Sequence, residues 1–588
     1  MPRHPTGKVS ESVVERVQKN GSVYVYLRKS WYDPAIRNTR SKMELQGIKE
    51  PSTGEIRPTR PKSDRSSLEQ AQTLVDVETK ANAMILIVKH FADVSGVTSE
   101  VIGSLPKDKG RAGKILTLAW YAFATGGRTW TRAAKWTANY LKLLPYPHGS
   151  ISRDMYQDLF HYIGRNDGIK WSIFRQRAEH FGEGDLIAWD SSTYACGVSD
   201  VHDGRMGVDK DSLVKRLYKV FFFYSVTAKQ LISYVKIPGN LADCTTVPYA
   251  ISAMKALGLK KPEILQDNGY SNDDTIGQLL HQEFHFITRM PPDCRWIQPL
   301  IREHRDALSG GLAPTTMIEC APEFSGIACR VKREFPYTRT YRSAQKRIEA
   351  GGKDTVIGNL HVFIYFSSWQ KGKDDKAFRE QYAQVFHDSQ NGYVLSVESR
   401  RFRERYMTEV ARDGVTEFVP NQTAIEKRFR DHGYLVIVTD HESDIDKALM
   451  KFRTREKIEE GIKGHKSHTG GDTSKTGSDE FLDGELLVEF LANSIRESMI
   501  NKLNSMKAEL ALPNGEVKHD SRENMEHQLA LKKWIGRNSI ANILDSFDTT
   551  EIEKVYSNGK SSKTVASTTS RDLLFLNMLG INDWGRAK

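Results

Sequence analysis

DLIAWDSST, residues 185–193, is the stretch whose reading decides the fold. Four apolar residues, Leu186 to Trp189, run into an acid, Asp190, and three hydroxyl side chains follow. A short unbroken apolar run with polar ends fits a strand buried on both faces. An aspartate deep in such a strand costs roughly several kcal/mol unless it is paired or bound to a metal. Downstream, KVFFFYSVT (219–227) and QLISYVKI (230–237) read as two more strands, joined by a turn at Ala228-Lys229. A helix at 245–259, a buried strand PEILQ (262–266), a helix at 274–284 and a strand HFITR (285–289) follow. Three strands and then alternating helix and strand imply an α/β fold, a mixed sheet with helices on its faces.

A second acid ends the strand PEILQ. Asp267 opens the turn Asp267-Asn268-Gly269-Tyr270, and sites in open α/β sheets lie off the carboxyl ends of strands. Strand-ending aspartates also cap turns, and taken singly Asp190 and Asp267 fit that ordinary role equally well. Asp440, at the end of the strand GYLVIVTD (433–440), reads as a cap for the helix after it, helped by Glu442 and Asp444.

A third acid sits in FRTREKIEEGIKGHK, residues 452–466, within a helix expected over about 443–464. Phe452, Arg455, Glu459 and Lys466 form the pattern F-x-x-R-x-x-x-E-x-x-x-x-x-x-K. At about 100° per residue the four fall within a sector of about 60° on one helix face. A carboxylate flanked by two cations suits a place that holds both a divalent metal and a phosphate backbone. A solvated, charge-rich helix face has the same composition. Gly461 and Gly464 weaken the helix, and a helix ending there would take Lys466 off the shared face.

Other chemistries are disfavoured. The 17 histidines contain no HExxH pair. KDKGRAGK (107–114) has Asp108 where a phosphate-binding loop needs its first glycine, so no nucleotide triphosphate site is expected. Ser191, Ser192 and Thr193 have no histidine beside them in sequence and read as strand-edge hydroxyls. Five cysteines without CxxC spacing argue against a disulfide framework and a zinc finger. The net charge of +11 favours a polyanionic partner. The first residues lack the apolar core of a signal peptide, and no run approaches a membrane span of about 18 apolar residues. A cytoplasmic protein without a membrane partner is expected.

At this point the residues resemble a family. IAWDSSTYA with Asp190, ILQDNGYSN with Asp267 and the Phe452–Lys466 block with Glu459 stand in the order of a bacterial insertion-sequence DDE transposase. The likeness is to the insertion sequence four superfamily with its Tyr-Arg-Glu-Lys signature. PGNLAD (238–243) is similar to a Gly-Asn…Asp segment usual there, and the 192 residues between Asp267 and Glu459 leave room for a β-rich insertion. This chain departs by having Phe452 for the signature tyrosine and Asn268 where many relatives have Arg.

The resemblance implies a ribonuclease-H-like fold and two Mg²⁺ ions, with Mn²⁺ as a substitute, on Asp190, Asp267 and Glu459. It implies that Phe452, Arg455 and Lys466 approach DNA. The function it implies is cutting at transposon ends and joining the 3′-hydroxyl to target DNA, by a homodimer assembled on inverted-repeat ends near the bacterial nucleoid. Two alternatives stay open: a nuclease of the same fold that never joins, and a domesticated DNA-binding protein.

The expected organisation is a small β unit with a basic linker (1–66) and a mainly helical, DNA-binding region (67–180). Then come the first part of the core (181–290), a β-rich insertion (291–425), the second part of the core with the glutamate helix (426–510), and a helical, dimerising C-terminal region (511–588). Trp296 and Trp369 in the insertion are candidates for base stacking, with core packing as the ordinary alternative.

Overall fold

The computed structural model describes residues 9–18, 21–33, 38–57, 76–127, 129–181, 185–196, 201–208, 214–241, 243–259, 261–310, 316–338, 353–412, 415–455, 473–474, 478–510, 522–557, 560–565 and 568–581. The chain divides into two compact units, Met1–Thr79 with Glu553–Thr564, and Lys80–Ile552 with Val565–Lys588.

The smaller unit contains an antiparallel meander of Ser10–Val17, Val23–Asp33, Asn38–Lys49 and Ile56–Arg57. The first of its long strands opens on alternating valine and tyrosine, VYVY, with Val25 buried.

The larger unit is built on one ten-stranded mixed sheet. Its strands are β1 (Leu186–Cys196), β2 (Arg205–Val208), β3 (Val214–Ser225), β4 (Gln230–Pro238), β5 (Glu263–Gln266), β6 (His285–Met290), β7 (Ser325–Thr338), β8 (Lys353–Phe366), β9 (Tyr434–Thr439) and β10 (Thr473–Ser474). The order is β7-β8-β9-β6-β5-β1-β3-β2, with β4 beside β3 and β10 beside β1. Within it, β1, β3 and β4 form an antiparallel meander, and β5 and β6 run parallel to β1 on its other side. Helices α4 (Asp243–Ala256) and α5 (Asp273–His281) make the crossovers, as parallel pairing requires.

The two faces differ in what covers them. Phe222 and Tyr234, paired across β3 and β4, share a face with Asp190. That face packs against α3 (Asp167–Phe181) and α7 (Asp479–Glu509), through Phe174 and Phe490 on Tyr234. Lys236 ties the start of α7 to the sheet, reaching Asp479 at 2.9 Å and Asp483 at 3.0 Å. The helix α2 (Arg153–Arg165) crosses α7 so closely that a Cβ on Gly484 would overlap the backbone of Phe160. Trp189, Phe221 and Tyr270 pack on the opposite face.

The N-terminal part of this unit is helical from Ala83 to Phe181. The apolar spacing over 67–91 predicts helix throughout, whereas Asp76–Asn82 is a strand and the helix starts at Ala83, capped by Asn82. Asp108 caps α1 (Lys109–Thr125) by accepting from the Arg111 amide. Trp130, Trp136 and Tyr140 belong to one aromatic cluster with Tyr121, Tyr156 and Phe160.

Residues 291–425 are mixed, not β-rich. They contain the helices Gln298–Ser309, Ser368–Gln390 and Val397–Tyr406, and the hairpin of Met407–Arg412 with Val415–Pro420. Their long strands β7 and β8 extend the main sheet through β9. Trp296 is packed, donating to Asp273 at 3.0 Å under the Arg333 guanidinium. Trp369 is 62% exposed, with the Lys373 ammonium 3.5 Å from its ring centre. Among the described residues no helix is long and apolar enough to cross a membrane.

Candidate active site

The parallel register of β5 on β1 brings the two aspartates together. Ile264 pairs with Ile187 and Leu265 with Ala188. The ladder ends there, and Asp267 and Asp190 each stand two residues beyond that last pair on neighbouring segments. Asp267 is in extended backbone immediately after the strand, and its carboxylate accepts from the Asn268 amide at 2.6 Å.

Tyr270 couples the two strands. It closes the short 3-10 turn after Asp267 and is 2% exposed. Its hydroxyl donates to Asp190 Oδ1 at 3.3 Å, and the Ser191 amide donates to the same oxygen at 2.8 Å. Burial, and then the charges of Asp190 and Asp243, push the Tyr270 phenol well above its ordinary range, so it remains a donor.

Asp243 is a third carboxylate near this point, and sequence reasoning did not assign it a role. It starts α4, accepts from Lys219 Nζ at 2.8 Å and from Ser191 Oγ at 3.1 Å, and approaches the backbone of Gly269. Ser191 is therefore a link between strand and helix and not a free nucleophile. The signal for Asp243 was the PGNLAD segment itself.

Arg455 reaches the site from the other half of the core, with its Nη1 2.5 Å from Asp267 Oδ1. It follows α6 (Ile445–Arg453), the described part of the stretch expected as one long helix. Asp444 caps the start of α6, and the helix ends at Thr454, whose hydroxyl bonds back to the Lys451 carbonyl at 2.5 Å. Thr454 keeps helical backbone angles and Arg455 is helical again, so Phe452 and Arg455 stay neighbours along this stretch. Phe452 is buried in the core, with the Arg455 guanidinium 5.8 Å from its ring centre, so its phenyl ring packs and does not present itself to a ligand. Glu459 and Lys466 lie outside the described residues.

Asp440 does not cap the helix. It holds the start of β6, accepting from the Phe286 amide at 3.0 Å and pairing with His285 Nδ1 at 2.9 Å. Because β9 runs antiparallel to β6, this places Asp440 at the opposite edge of the sheet from Asp267.

Two acids on α7 face the same side of the sheet. Trp130 Nε1 donates to Glu485 at 2.7 Å, and burial pushes the Glu485 carboxyl up to about 7. Glu489, one turn on, is raised well above its ordinary value by burial and by Glu485. Both bear on Tyr218, which stacks on Tyr194, four residues beyond Asp190 on β1.

Among the described residues, no group of three or more His, Cys, Asp or Glu side chains is gathered to hold a metal. The donor set that is described has the oxygen chemistry a hard divalent cation takes: one carboxylate within β1 and one just past the end of β5, the latter paired with a guanidinium.

No family model matches the chain, and no curated protein matches it. Among solved structures, a piggyBac transposase synaptic complex with hairpin DNA aligns at 10% identity. It covers 77% of this chain and 90% of that chain, with a TM-score of 0.31. A likeness this loose carries no argument about fold or activity.

Proposed function

We propose that this protein is a DDE-type DNA transposase with a ribonuclease-H-like core, cutting at transposon ends and joining the freed 3′-hydroxyl to target DNA. The observation that carries the reading is the register that leaves Asp267 and Asp190 each two residues beyond the last pair of β5 with β1 in the β4-β3-β1-β5-β6 sheet. That order, an antiparallel meander followed by two parallel strands, is the one a ribonuclease-H-like core requires. The likeness of the sequence blocks suggests the chemistry, and the neighbouring positions of Asp190 and Asp267 support it.

Asp190, Asp267 and Glu459 would hold two Mg²⁺ ions, for which Mn²⁺ can substitute. Bound there, such ions lower the pKa of the attacking hydroxyl and neutralise charge on the phosphoryl group. The protein's own part is orientation. Tyr270 and the Ser191 amide fix one oxygen of Asp190, and the Asn268 amide fixes Asp267. Arg455 stands on Asp267 with a fork suited to phosphate oxygens. Lys466 is proposed to make a further phosphate contact. Double-stranded DNA, as inverted-repeat ends and target, and a second copy of the chain are the proposed partners, at the bacterial nucleoid.

The test is incubation with Mg²⁺ and duplexes carrying candidate ends, followed by pre-cut ends with target DNA. Nicking and joined product are the expected results. Hydrolysis without joining would reduce the reading to a nuclease, and no cleavage of any DNA would leave a binding protein.

Arg455→Ala gives a second expectation. Arg455 is 21% exposed and its partner 37%, so the loss of the pair should cost stability about 1 kcal/mol or less. Cleavage should fall about 10- to 100-fold, as for removal of one charged donor at a phosphoryl group. Arg455→Lys should restore only part of it, because an ammonium lacks the fork. Full activity in Arg455→Ala would remove this residue from the site.

A further inference from the structure

The edge of the sheet that carries Asp267 leads into a cleft of about 580 Å³. It is walled by the end of β6, the start of β9 and the helices Ser368–Gln390, Val397–Tyr406 and Gln422–Asp431. Asn268, the residue after Asp267, forms part of its wall. β8 runs parallel to β6, so the helix that follows β8 also starts at this edge.

Four arginines line the cleft: Arg289, Arg401, Arg405 and Arg428. Arg405 is paired with Asp293 at 3.1 Å. The guanidiniums of the other three make no hydrogen bond or ion pair within 4 Å with any described residue, and Arg428 acts on Asp431 only through its charge. The acids in the cleft are committed elsewhere, with one exception. Asp374 accepts from the Gly433 amide and from Gln370, and Asp431 accepts from Gln298. Burial, and then the charge of Asp293, raise the Asp431 carboxyl, while Lys427, Arg428 and Arg305 act the other way. Glu398 alone has no such partner, and it stands against three unpaired guanidiniums.

We infer that this cleft holds the sugar-phosphate backbone of a single DNA strand beside the Asp267 turn. The inference rests on the transposase reading and names a surface that reading leaves unassigned. A compact space of about 580 Å³ is roughly 8 Å across. A duplex does not enter it, since the major groove alone is about 12 Å wide. A single strand does, and guanidinium forks are matched to its phosphate oxygens. Phe402 and Tyr434 give the wall ring edges against which sugar or base can pack.

The test uses the full-length chain and two labelled DNAs, a blunt duplex and the same duplex with a single-stranded extension, titrated across a salt series without Mg²⁺. The variant is Arg401→Ala with Arg428→Ala, both at exposed positions. The wild type is expected to favour the extended DNA. The variant is expected to bind it about 10- to 100-fold more weakly, with a log–log salt slope shallower by about 1.4, for two single-strand phosphate contacts. Its binding to the blunt duplex should stay unchanged. No loss on the extended DNA, or an equal loss on both, overturns the proposal. A wild type that shows the extension preference but never nicks DNA in Mg²⁺ keeps the cleft and loses the transposase reading. A wild type that nicks and joins, with a variant that binds like it, does the reverse.

Discussion

Asp190→Asn is expected to abolish Mg²⁺-dependent nicking, by about 10³-fold or more, while leaving the fold and DNA binding in place. The substitution is chosen because of what Asp190 touches. One carboxylate oxygen accepts from the Ser191 amide and the Tyr270 hydroxyl, and an asparagine oxygen can accept both. What is lost is the negative charge, and with it the hard-cation ligand. A 10³-fold loss corresponds to about 4 kcal/mol of transition-state stabilisation, the scale expected when a preorganised charge is removed at a phosphoryl centre. Asp267→Asn should match it, because the two acids stand equally far beyond the last pair of the same ladder. Asp243→Asn separates ligand from support. Lys219 and Ser191 hold that acid, and its loss should cost about tenfold, through α4 and the Gly269 turn. The measurement is the single-turnover rate on a pre-formed DNA complex, with thermal unfolding as the control for folding. Nicking in Asp190→Asn at more than a tenth of the wild-type rate would sink the assignment. Asp243→Asn falling as far as Asp190→Asn would move Asp243 into the metal-holding set.

The strands were legible because their signal is local. LIAW before Asp190, VFFF in β3 and EILQ before Asp267 are short apolar runs with polar ends, and each is a strand. Pairing was not written in any of them, yet the meander and the two crossovers leave few ways to pair. The site was legible in half. Asp190 and Asp267 sit where the strand pattern puts them, whereas of the helix face drawn through Phe452, Arg455, Glu459 and Lys466 only the first two residues are described. A one-residue turn at Thr454, whose hydroxyl donates to the Lys451 carbonyl, separates Arg453 from Arg455, and no glycine or proline marks it. Asp440 misled: a strand-ending acid before a helix is a cap by local rules, and here a neighbouring strand claims it. Asp243 was missed because its surroundings are tertiary, with Lys219 coming from β3.

Glu485→Gln is expected to stabilise the protein above neutral pH and to do nothing in acid. The sign follows from the direction of the shift. Burial raises the folded-state pKa of Glu485 from 4.5 to about 7. Between those values the folded chain binds more protons than the unfolded chain, so stability falls as pH rises through that window. Above about pH 7 the folded state carries a charge that its surroundings oppose. Glutamine is close to a copy of the protonated acid and keeps an oxygen for the Trp130 indole. The gain at pH 8 should be about 1–2 kcal/mol, allowing for the solvent that still reaches the side chain. It should shrink to nothing near pH 4, where both states of the wild type are protonated. Removing the Glu485 charge also relieves Glu489, whose carboxyl it helps to raise, and that second effect has the same sign. Chemical denaturation followed by tryptophan emission measures it, since Trp130 donates directly to the substituted group. A variant less stable than the wild type at pH 8, or a gain as large at pH 4 as at pH 8, would show that Glu485 is held as a carboxylate. The pair would then be a charged site on α7, over the same face of β1 as Asp190, and a rival to Glu459 as the helix-borne acid.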